Sequence, residues 1–349
     1  MRIVITGASG NVGTALLLRL GASGGHQLVG ISRRPPPYAP PYSWAQWECL
    51  DVGTDDAPER LRAVFAGADA VVHLAWLIQP SREREVMHRT NVDGTAAVVR
   101  AAIDAGVSHL VHQSSIGAYS PGHGRTVDES WPTDGIATST YSVDKAAAER
   151  IVTSAEQACA VTRVRPALIM QDAAASEITR YFIGPLIPRR VLRRSVVRFA
   201  PLPDALAFQL VHADDVAAAI DLLLTTRTSG AFNVAAAPVI DRTAFRGVFG
   251  GVGPSCPPAV IRAAANLTWH ARLQPTEPGW IDLAAQVPQL DSGRIAGLGW
   301  QPTHAATDVL GRFVDALSRG AGRPGPLLKP RGRVGRAGRP GPAGTASDS

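Results

Sequence analysis

Residues 1–13 read MRIVITGASGNVG, a short apolar run followed by three glycines within seven residues. The run from Arg2 to Thr6 predicts a buried strand, and the apolar stretch after Gly13 predicts a helix. In this strand, turn and helix context, the glycine spacing is typical of a turn that holds a dinucleotide pyrophosphate against free N–H groups at a helix N-terminus. The residues expected to contact such a cofactor are Gly7, Ser9, Gly10, Asn11, Val12 and Gly13.

Strand and helix patterns alternate over the first half of the chain. This alternation indicates an α/β fold, a doubly wound parallel sheet of the Rossmann type with helices on both faces. The further predicted strands are 27–31, 70–74, 109–113 and 161–165, and the predicted helices follow Gly13 or lie at about 57–65, 83–105 and 141–157.

The rhythm changes after Pro166, where proline-rich and arginine-rich loops interrupt shorter elements. We therefore expect an NAD(P)-binding Rossmann domain over 1–166, with its sheet completed by parts of 205–236. A smaller lobe over 167–318 is expected to bind mainly the substrate.

The excess of positive charge is confined to the C-terminus. Residues 319–349 contain seven of the 35 Lys and Arg and one of the 29 Asp and Glu, which leaves 28 charges of each sign in the body. This Gly/Pro/Arg-rich tail lacks the apolar residues needed to pack, so it is expected to be disordered and to matter for neither folding nor turnover. With a neutral body, we expect no specific nucleic-acid partner.

Three cysteines, Cys49, Cys159 and Cys256, are widely spaced and form no C-x-x-C motif. Their number and spacing argue against a disulfide framework or a zinc site. The chain passes directly from Met1 and Arg2 into strand pattern, without a leader pattern or an apolar run of membrane-spanning length. A cytoplasmic protein that does not enter a membrane is therefore expected.

The end of the second predicted strand bears on the choice of cofactor. NAD enzymes commonly carry a carboxylate there, whereas this chain has Ser32, Arg33 and Arg34. Two guanidinium groups can hold a 2′-phosphate, which favours NADP(H); if the arginines only solvate the following proline-rich loop, NAD(H) stays open. Asp51 and Val52, which would follow a third strand between 27–31 and 70–74, are placed to reach the adenine.

Tyr141 and Lys145 are four residues apart on a predicted helix, so their side chains share one face. A buried ammonium beside a phenol favours the phenolate, and we expect it to lower the pKa of Tyr141 towards the range of acid–base catalysis. Ser114 and Ser115, 26 residues earlier, end another predicted strand.

Together these motifs resemble the extended short-chain dehydrogenase/reductases, the NAD-dependent epimerase/dehydratase family. The resemblance covers nearly the whole body and rests on several motifs in the family's order. Besides the glycine turn and Y-x-x-x-K, they are His73-Leu74-Ala75, Asn91 to Thr95, Ser114 to Tyr119, Arg165-Pro166, Val211 to Val216 and Leu298 to Pro302.

The resemblance implies roles for individual residues. Tyr141 corresponds to the catalytic acid/base, Lys145 to the residue that binds the nicotinamide ribose, and Ser115 to the hydroxyl that hydrogen-bonds the reacting oxygen, with Ser114 as the near alternative. Family members often pair through two helices that correspond to about 84–105 and 141–157, which points by analogy to a homodimer. Further residues implied at the cofactor pocket are Leu74, Ala75, Trp76, Asn91, Ser114, Pro166 and Leu168.

The substrate region departs from the sugar-nucleotide members of the family, which commonly carry an Asn in an R-x-F-N arrangement. This chain has Arg165 and Pro166 at that point, similar to carbonyl reductases and hydroxysteroid-type dehydrogenases. We therefore favour hydride transfer between NADP(H) and an apolar alcohol/carbonyl substrate. A sugar-nucleotide epimerase or dehydratase and a non-catalytic NAD(P) sensor are the alternatives. Apolar candidates for the pocket are Trp76, Leu77, Ile78, Tyr181, Phe182 and Ile183, while Arg189, Arg190, Arg193 and Arg194 suit a diphosphate.

Overall fold

A computed structural model describes residues 1–78, 82–184, 186–325 and 327–330. Its centre is a parallel sheet of seven strands, which confirms the predicted α/β fold of Rossmann type. In chain order the strands are β1 (Arg2–Thr6), β2 (Gln27–Ser32), β3 (Gln46–Cys49), β4 (Ala70–His73), β5 (His109–Gln113), β6 (Thr126–Val127), β7 (Ala160–Pro166), β8 (Leu168–Met170), β9 (Ala207–His212), β10 (Gly230–Val234), β11 (Ala236–Asp241) and β12 (Gln289–Leu290).

The order of strands in the main sheet is β10-β7-β5-β4-β1-β2-β3, and the order reverses beside β1. Ligands of open α/β sheets bind at such a switch point, beyond the carboxyl ends of the strands. Strand β9 does not join this sheet, because it pairs with β8 and β11 in a separate sheet of three strands. Of residues 205–236, only Gly230–Val234 extends the main sheet.

Helices cover both faces of the main sheet. None in the described ranges combines the length and apolar character needed to cross a bilayer. In chain order they are α1 (Asn11–Ser23), α2 (Ala57–Phe65), α3 (Arg84–His88), α4 (Gly94–Asp104), α5 (Thr140–Thr153), α6 (Ala175–Ile178), α7 (Arg194–Val197), α8 (Ala213–Thr226), α9 (Arg242–Phe249), α10 (Pro258–His270), α11 (Gly279–Gln286), α12 (Gly293–Ala296) and α13 (Ala306–Arg319).

Three helix boundaries differ from the predictions. Helix α1 begins at Asn11 and therefore includes Gly13, rather than following it. The long helix predicted at 83–105 is divided into α3 and α4 by one π-helical stretch, Arg89–Asp93. The helix predicted at 141–157 ends as an α-helix at Thr153 and continues as a 3₁₀ turn to Gln157.

Each face of the sheet has its own apolar core. On one face α1 packs against α8, and Leu16 and Ile220 are fully buried there. On the other face α2 packs against α4, around Leu61 and Val98. A fully buried aliphatic side chain of this size contributes about 1.5–3 kcal/mol to folding, so these layers fix the strand ends that carry the site.

The start of the C-terminal tail is packed, so the prediction of a disordered tail from 319 onwards is wrong for residues 320–330 where they are described. Helix α13 ends at Arg319, and Gly320 continues in the left-handed conformation with φ +66°. The chain then returns along the body, and Leu328 is fully buried. Leu327 and Leu328 are apolar residues that can pack, although the tail as a whole is rich in Gly, Pro and Arg. Residues 331–349 lie outside the described residues.

Two histidines lie in the interior beneath the strand ends. The rings of His73 and His112 are 5.3 Å apart between centroids, and both side chains are buried. His73 contacts the hydroxyls of Thr6 (2.7 Å) and Thr95 (3.0 Å), whereas neither ring nitrogen of His112 has a hydrogen-bond partner among the described residues. Burial lowers the pKa of His73 to about 3 and lowers the pKa of His112 well below its ordinary value.

These histidines are expected to make folding sensitive to acid. Below the ordinary histidine pKa of 6.5, the unfolded chain binds protons that the folded state does not, so the free energy of unfolding falls as pH falls. Each such histidine accounts for up to about 1.4 kcal/mol per pH unit. In urea unfolding at pH 7 and pH 5, His112→Phe should reduce the difference, while His123→Phe, an exposed control, should not. An unchanged difference in His112→Phe would contradict this assignment.

Candidate active site

The glycine turn follows β1 and leads into α1. Gly7 has φ +69°, and a Cβ atom there would lie 2.7 Å from the backbone nitrogen of Ala75. A Cβ atom on Gly13 would lie 2.5 Å from the carbonyl oxygen of Gly7. Side chains are therefore excluded from both positions, and the first turn of α1 keeps backbone N–H groups open towards the strand ends. This cradle fits a pyrophosphate.

A groove runs from this turn past the ends of β2, β3 and β4. Arg33, Arg34 and Trp76 are among the residues that line it, and the enclosed space is only about 70 Å³. The predicted cofactor residues that line the groove are Gly7, Ser9, Ser32, Arg33, Arg34, Asp51, Val52, Ala75 and Trp76. Leu77, which was predicted for the substrate pocket, also lines it, and Ile31, Leu50, Thr90 and Leu327 were not predicted.

Other predicted cofactor residues lie outside this lining. The side chain of Asn11 contacts Gln171. The amide of Asn91 is buried and accepts from Leu77 N at 2.7 Å while donating to Leu77 O at 3.0 Å, so it shapes the groove wall. Leu168 is 48% exposed on β8. The remaining predicted residues outside the lining are Gly10, Val12, Gly13, Leu74, Ser114 and Pro166.

The predicted catalytic side chains meet at the start of α5. Ser139 caps this helix and accepts a hydrogen bond from the amide of Ser142, which directs the first turn towards the strand ends. Lys145 is buried, and its Nζ donates to the carbonyl of Gln113 at 3.0 Å. The hydroxyl of Ser115 accepts from the amide of Gly117 at 3.0 Å. A Cβ atom on Gly117 would lie 2.8 Å from the ring of Tyr141, so this glycine lets the two segments approach.

Aromatic rings enclose the phenol of Tyr141. The Trp76 ring is edge-on to Tyr141 with 6.1 Å between centroids, and the Trp280 ring lies 4.8 Å away on α11. Phe182 packs edge-on against Trp280 at 4.8 Å. The ammonium of Lys145 lies 3.5 Å from the Trp76 ring centroid, a cation–π contact. Trp280 was not predicted, because it is 139 residues from Tyr141 along the chain and belongs to no motif.

The acid–base properties differ from the expectation. Burial raises the pKa of Tyr141 to about 12, and only a hydrogen bond with Ser115 works in the opposite direction. Burial lowers the pKa of Lys145 to about 7, against the attraction of Glu149. The predicted lowering of the Tyr141 pKa is therefore wrong in this structure, because the aromatic rings remove water from the phenol and the ammonium faces Trp76. At neutral pH the phenol keeps its proton.

The largest described cleft is separate from this site. A cleft of about 640 Å³ lies at the β7 and β10 edge and is lined by no predicted catalytic residue; Arg163 and Arg165 there are already paired with Glu156 and Glu149. This cleft is larger than the groove, but it lies away from the glycine turn and from Tyr141, so it is not part of the candidate site.

Three potential metal ligands, His212, Asp214 and His304, lie together at the start of α8. His212 Nδ1 already accepts the amide of Asp214, and His304 Nδ1 contacts Asp215 at 3.0 Å. The positive end of a helix also disfavours a cation. This cluster therefore gives no reason to propose a metal.

A parallel sheet with a glycine turn at its switch point, next to a Tyr, Lys and Ser group, defines a nucleotide-dependent enzyme class of the Rossmann type. Residues 3–235 match the family described as "NAD dependent epimerase/dehydratase family". The chain belongs to this family of enzymes, which confirms the resemblance noted in the sequence.

Individual relatives are more distant. The chain is 28% identical over 320 residues to an uncharacterized protein of Mycobacterium tuberculosis strain H37Rv, covering 91% of this chain and 30% of that protein. It therefore spans about a third of that relative's length. It is 33% identical over 156 residues to the 4-hydroxy-2-methyl-3-oxo-4-farnesyl-3,4-dihydroquinoline-1-oxide ketoreductase of Stigmatella aurantiaca, covering 44% of this chain and 46% of that enzyme.

Among solved structures, the UDP-glucose 4-epimerase of Thermus thermophilus in complex with NAD is similar, with a TM-score of 0.65 and 19% identity. The match covers 92% of this chain and all of that chain. At this identity the likeness shows the fold alone.

Proposed function

We propose that the protein is an oxidoreductase that transfers hydride between NADP(H) and an apolar alcohol/carbonyl substrate. The observation that carries this proposal is the enclosure of a protonated phenol, Tyr141, by Trp76 and Trp280. An apolar wall with a few polar groups is the lining that a hydrophobic carbonyl compound requires. The partly similar ketoreductase of Stigmatella aurantiaca acts on a compound of that kind by its name, which supports the same substrate class.

In the proposed reaction each residue of the site has its own chemical role. A bound nicotinamide supplies or accepts the hydride. Tyr141 donates the proton from its Oη to the carbonyl oxygen during reduction and takes it back during oxidation. The Ser115 hydroxyl hydrogen-bonds the same oxygen and stabilises the charge that develops there. Lys145, whose pKa burial lowers to about 7, still carries a proton in part of the molecules at neutral pH. Its ammonium form favours the phenolate left after proton transfer.

The cofactor would be held by backbone and guanidinium groups. The first turn of α1 suits the pyrophosphate, and Arg33 and Arg34 suit a 2′-phosphate at the end of β2. No carboxylate occupies that strand end, which supports NADP(H) over NAD(H).

Replacing Arg33 or Arg34 by Ala is expected to weaken NADPH binding by about 10–100-fold and NADH binding by far less, because a charge-assisted hydrogen bond to the 2′-phosphate contributes about 1.5–3 kcal/mol. Dissociation constants from nicotinamide fluorescence test this, with Arg246→Ala, at an exposed arginine of α9, as control. Equal losses for both nucleotides would mean that the arginines do not read the 2′-phosphate.

A second candidate is an NAD-dependent sugar-nucleotide epimerase or dehydratase, which the family match and the likeness to a UDP-glucose 4-epimerase favour. A substrate screen separates the two. Purified protein stripped of nucleotide is assayed for NADPH oxidation with apolar aldehydes and ketones, and for conversion of UDP-glucose and dTDP-glucose with NAD. NADPH oxidation by apolar carbonyl compounds supports the oxidoreductase; conversion of a sugar nucleotide without net redox change overturns it.

A further inference from the structure

The chain after α13 forms a strap, defined as residues 320–325 and 327–330, which returns across the body. At its start, Ser176 holds two successive carbonyl groups: its hydroxyl donates to Gly320 and its amide to Ala321, each at 3.0 Å. The strap is thus attached to the C-terminal lobe before it reaches the groove.

A second set of contacts fixes the far end of the strap. The amide of Arg323 donates to the carbonyl of Leu328 at 2.7 Å and closes a turn, and the Leu328 side chain is fully buried. Arg180 donates to the carbonyl groups of Leu327 and Lys329. A leucine of this size contributes about 1.5–3 kcal/mol when fully buried, so this end is held by packing as well as by hydrogen bonds.

At this far end the strap also enters the groove. Leu327 lines it together with Gly7, Ser9 and Arg33. Its Cδ1 atom lies 3.8 Å from the position that a Cβ atom on Gly10 would take. Gly10 is the second glycine of the turn, the position whose missing side chain lets a pyrophosphate approach the backbone. Leu327 therefore lies on that approach, and the 70 Å³ left in the groove is well below the roughly 300–1,000 Å³ of small-molecule pockets.

We propose that this strap is an autoinhibitory segment that competes with the dinucleotide for the groove. The inference rests on the proposed cofactor site. Because Leu327 and a pyrophosphate cannot both lie against Gly10, nucleotide binding requires the strap to leave. The measured dissociation constant is then the intrinsic one divided by the fraction of molecules whose strap is open. Loosening the strap raises that fraction and tightens binding without a new contact.

The test measures NADPH affinity in the full-length protein and three variants. Leu328→Ser removes the buried contact that holds the strap, and Leu327→Ala removes the methyl groups near Gly10. Leu267→Ser, at a side chain that is 71% exposed on α10, is the control. We expect both strap variants to bind NADPH at least about fivefold more tightly than wild type and the control to be unchanged. Leu327→Ala keeps the test valid if Leu328→Ser does not fold.

Hydrogen exchange gives a readout that does not depend on affinity. The amides of Arg323 and Ser176 donate within the strap and to it, so they are expected to be protected in the free protein and to exchange faster at saturating NADPH. Unchanged affinity with unchanged exchange would overturn the competition, and weaker binding by Leu327→Ala would show that the strap holds the cofactor instead. Failure of every variant to bind either NADPH or NADH would overturn the proposed function itself.

Discussion

Replacing Tyr141 by Phe is expected to lower kcat for carbonyl reduction by about 10²–10⁴-fold, the usual contribution of a positioned acid or base. The variant keeps the ring that packs against Trp76 and Trp280 and loses only the proton donor. Its NADPH dissociation constant and thermal midpoint should therefore stay close to those of wild type. Steady-state kinetics with saturating NADPH and the best substrate of the screen would measure the effect.

The matched control is Tyr38→Phe, the same change at a side chain that is 94% exposed, and it should leave kcat unchanged. Lys145→Ala should also lose turnover, because the phenolate would lose its neighbouring ammonium. A Tyr141→Phe variant with the kcat of wild type would refute the role of Tyr141 as the acid.

The second large effect concerns stability. Arg165 and Glu149 are 6% and 4% exposed, and they form two parallel hydrogen bonds of 2.7 and 2.6 Å. Arg165 also donates to the Tyr119 hydroxyl at 2.9 Å. Arg165→Met should lower the free energy of unfolding by about 3–5 kcal/mol, because it leaves the Glu149 carboxylate buried without its partner. Urea unfolding followed by circular dichroism measures this loss.

The double variant Arg165→Met with Glu149→Leu is expected to recover much of the loss, since it removes both charges together. Arg60→Met breaks an exposed pair with Asp56, whose side chains are 47% and 58% exposed, and should have no measurable effect. If the single and double Arg165 variants were equally unstable, packing rather than the unpaired charge would explain the loss.

Local signals in the sequence identified the elements that carry the site. The glycine turn follows from residue spacing within seven positions, and the shared face of Tyr141 and Lys145 follows from helix geometry. Apolar runs located five of the seven strands of the main sheet with ends within one residue of those observed, whereas β3, which is mostly exposed, was given no predicted range. Such features depend on neighbours along the chain, so they can be read without knowing the tertiary structure.

Features that depend on distant contacts were missed. Trp280 lies against Tyr141 because α11 packs against α5. The strap lies near Gly10 because the side chain of Leu328 is buried in the body. The direction of the Tyr141 pKa shift also depends on this enclosure: the sequence pattern contains the ammonium that would lower the pKa but not the rings that exclude water. The division of α3 from α4 by a π-helical stretch has no glycine or proline before Gly94 to mark it.

Isotope labelling would show whether the enzyme transfers hydride to an apolar carbonyl compound. The stripped protein is incubated with NADPH that carries deuterium on nicotinamide C4, in separate samples for the two faces, and with the best ketone of the screen; the products are analysed by mass spectrometry. We expect an alcohol with one deuterium from one of the two labelled cofactors, and NADP⁺ released in equal amount. An unlabelled ketone with NADPH left unconsumed, while the same preparation supplied with NAD isomerises or dehydrates a sugar nucleotide, would contradict hydride transfer to a carbonyl compound.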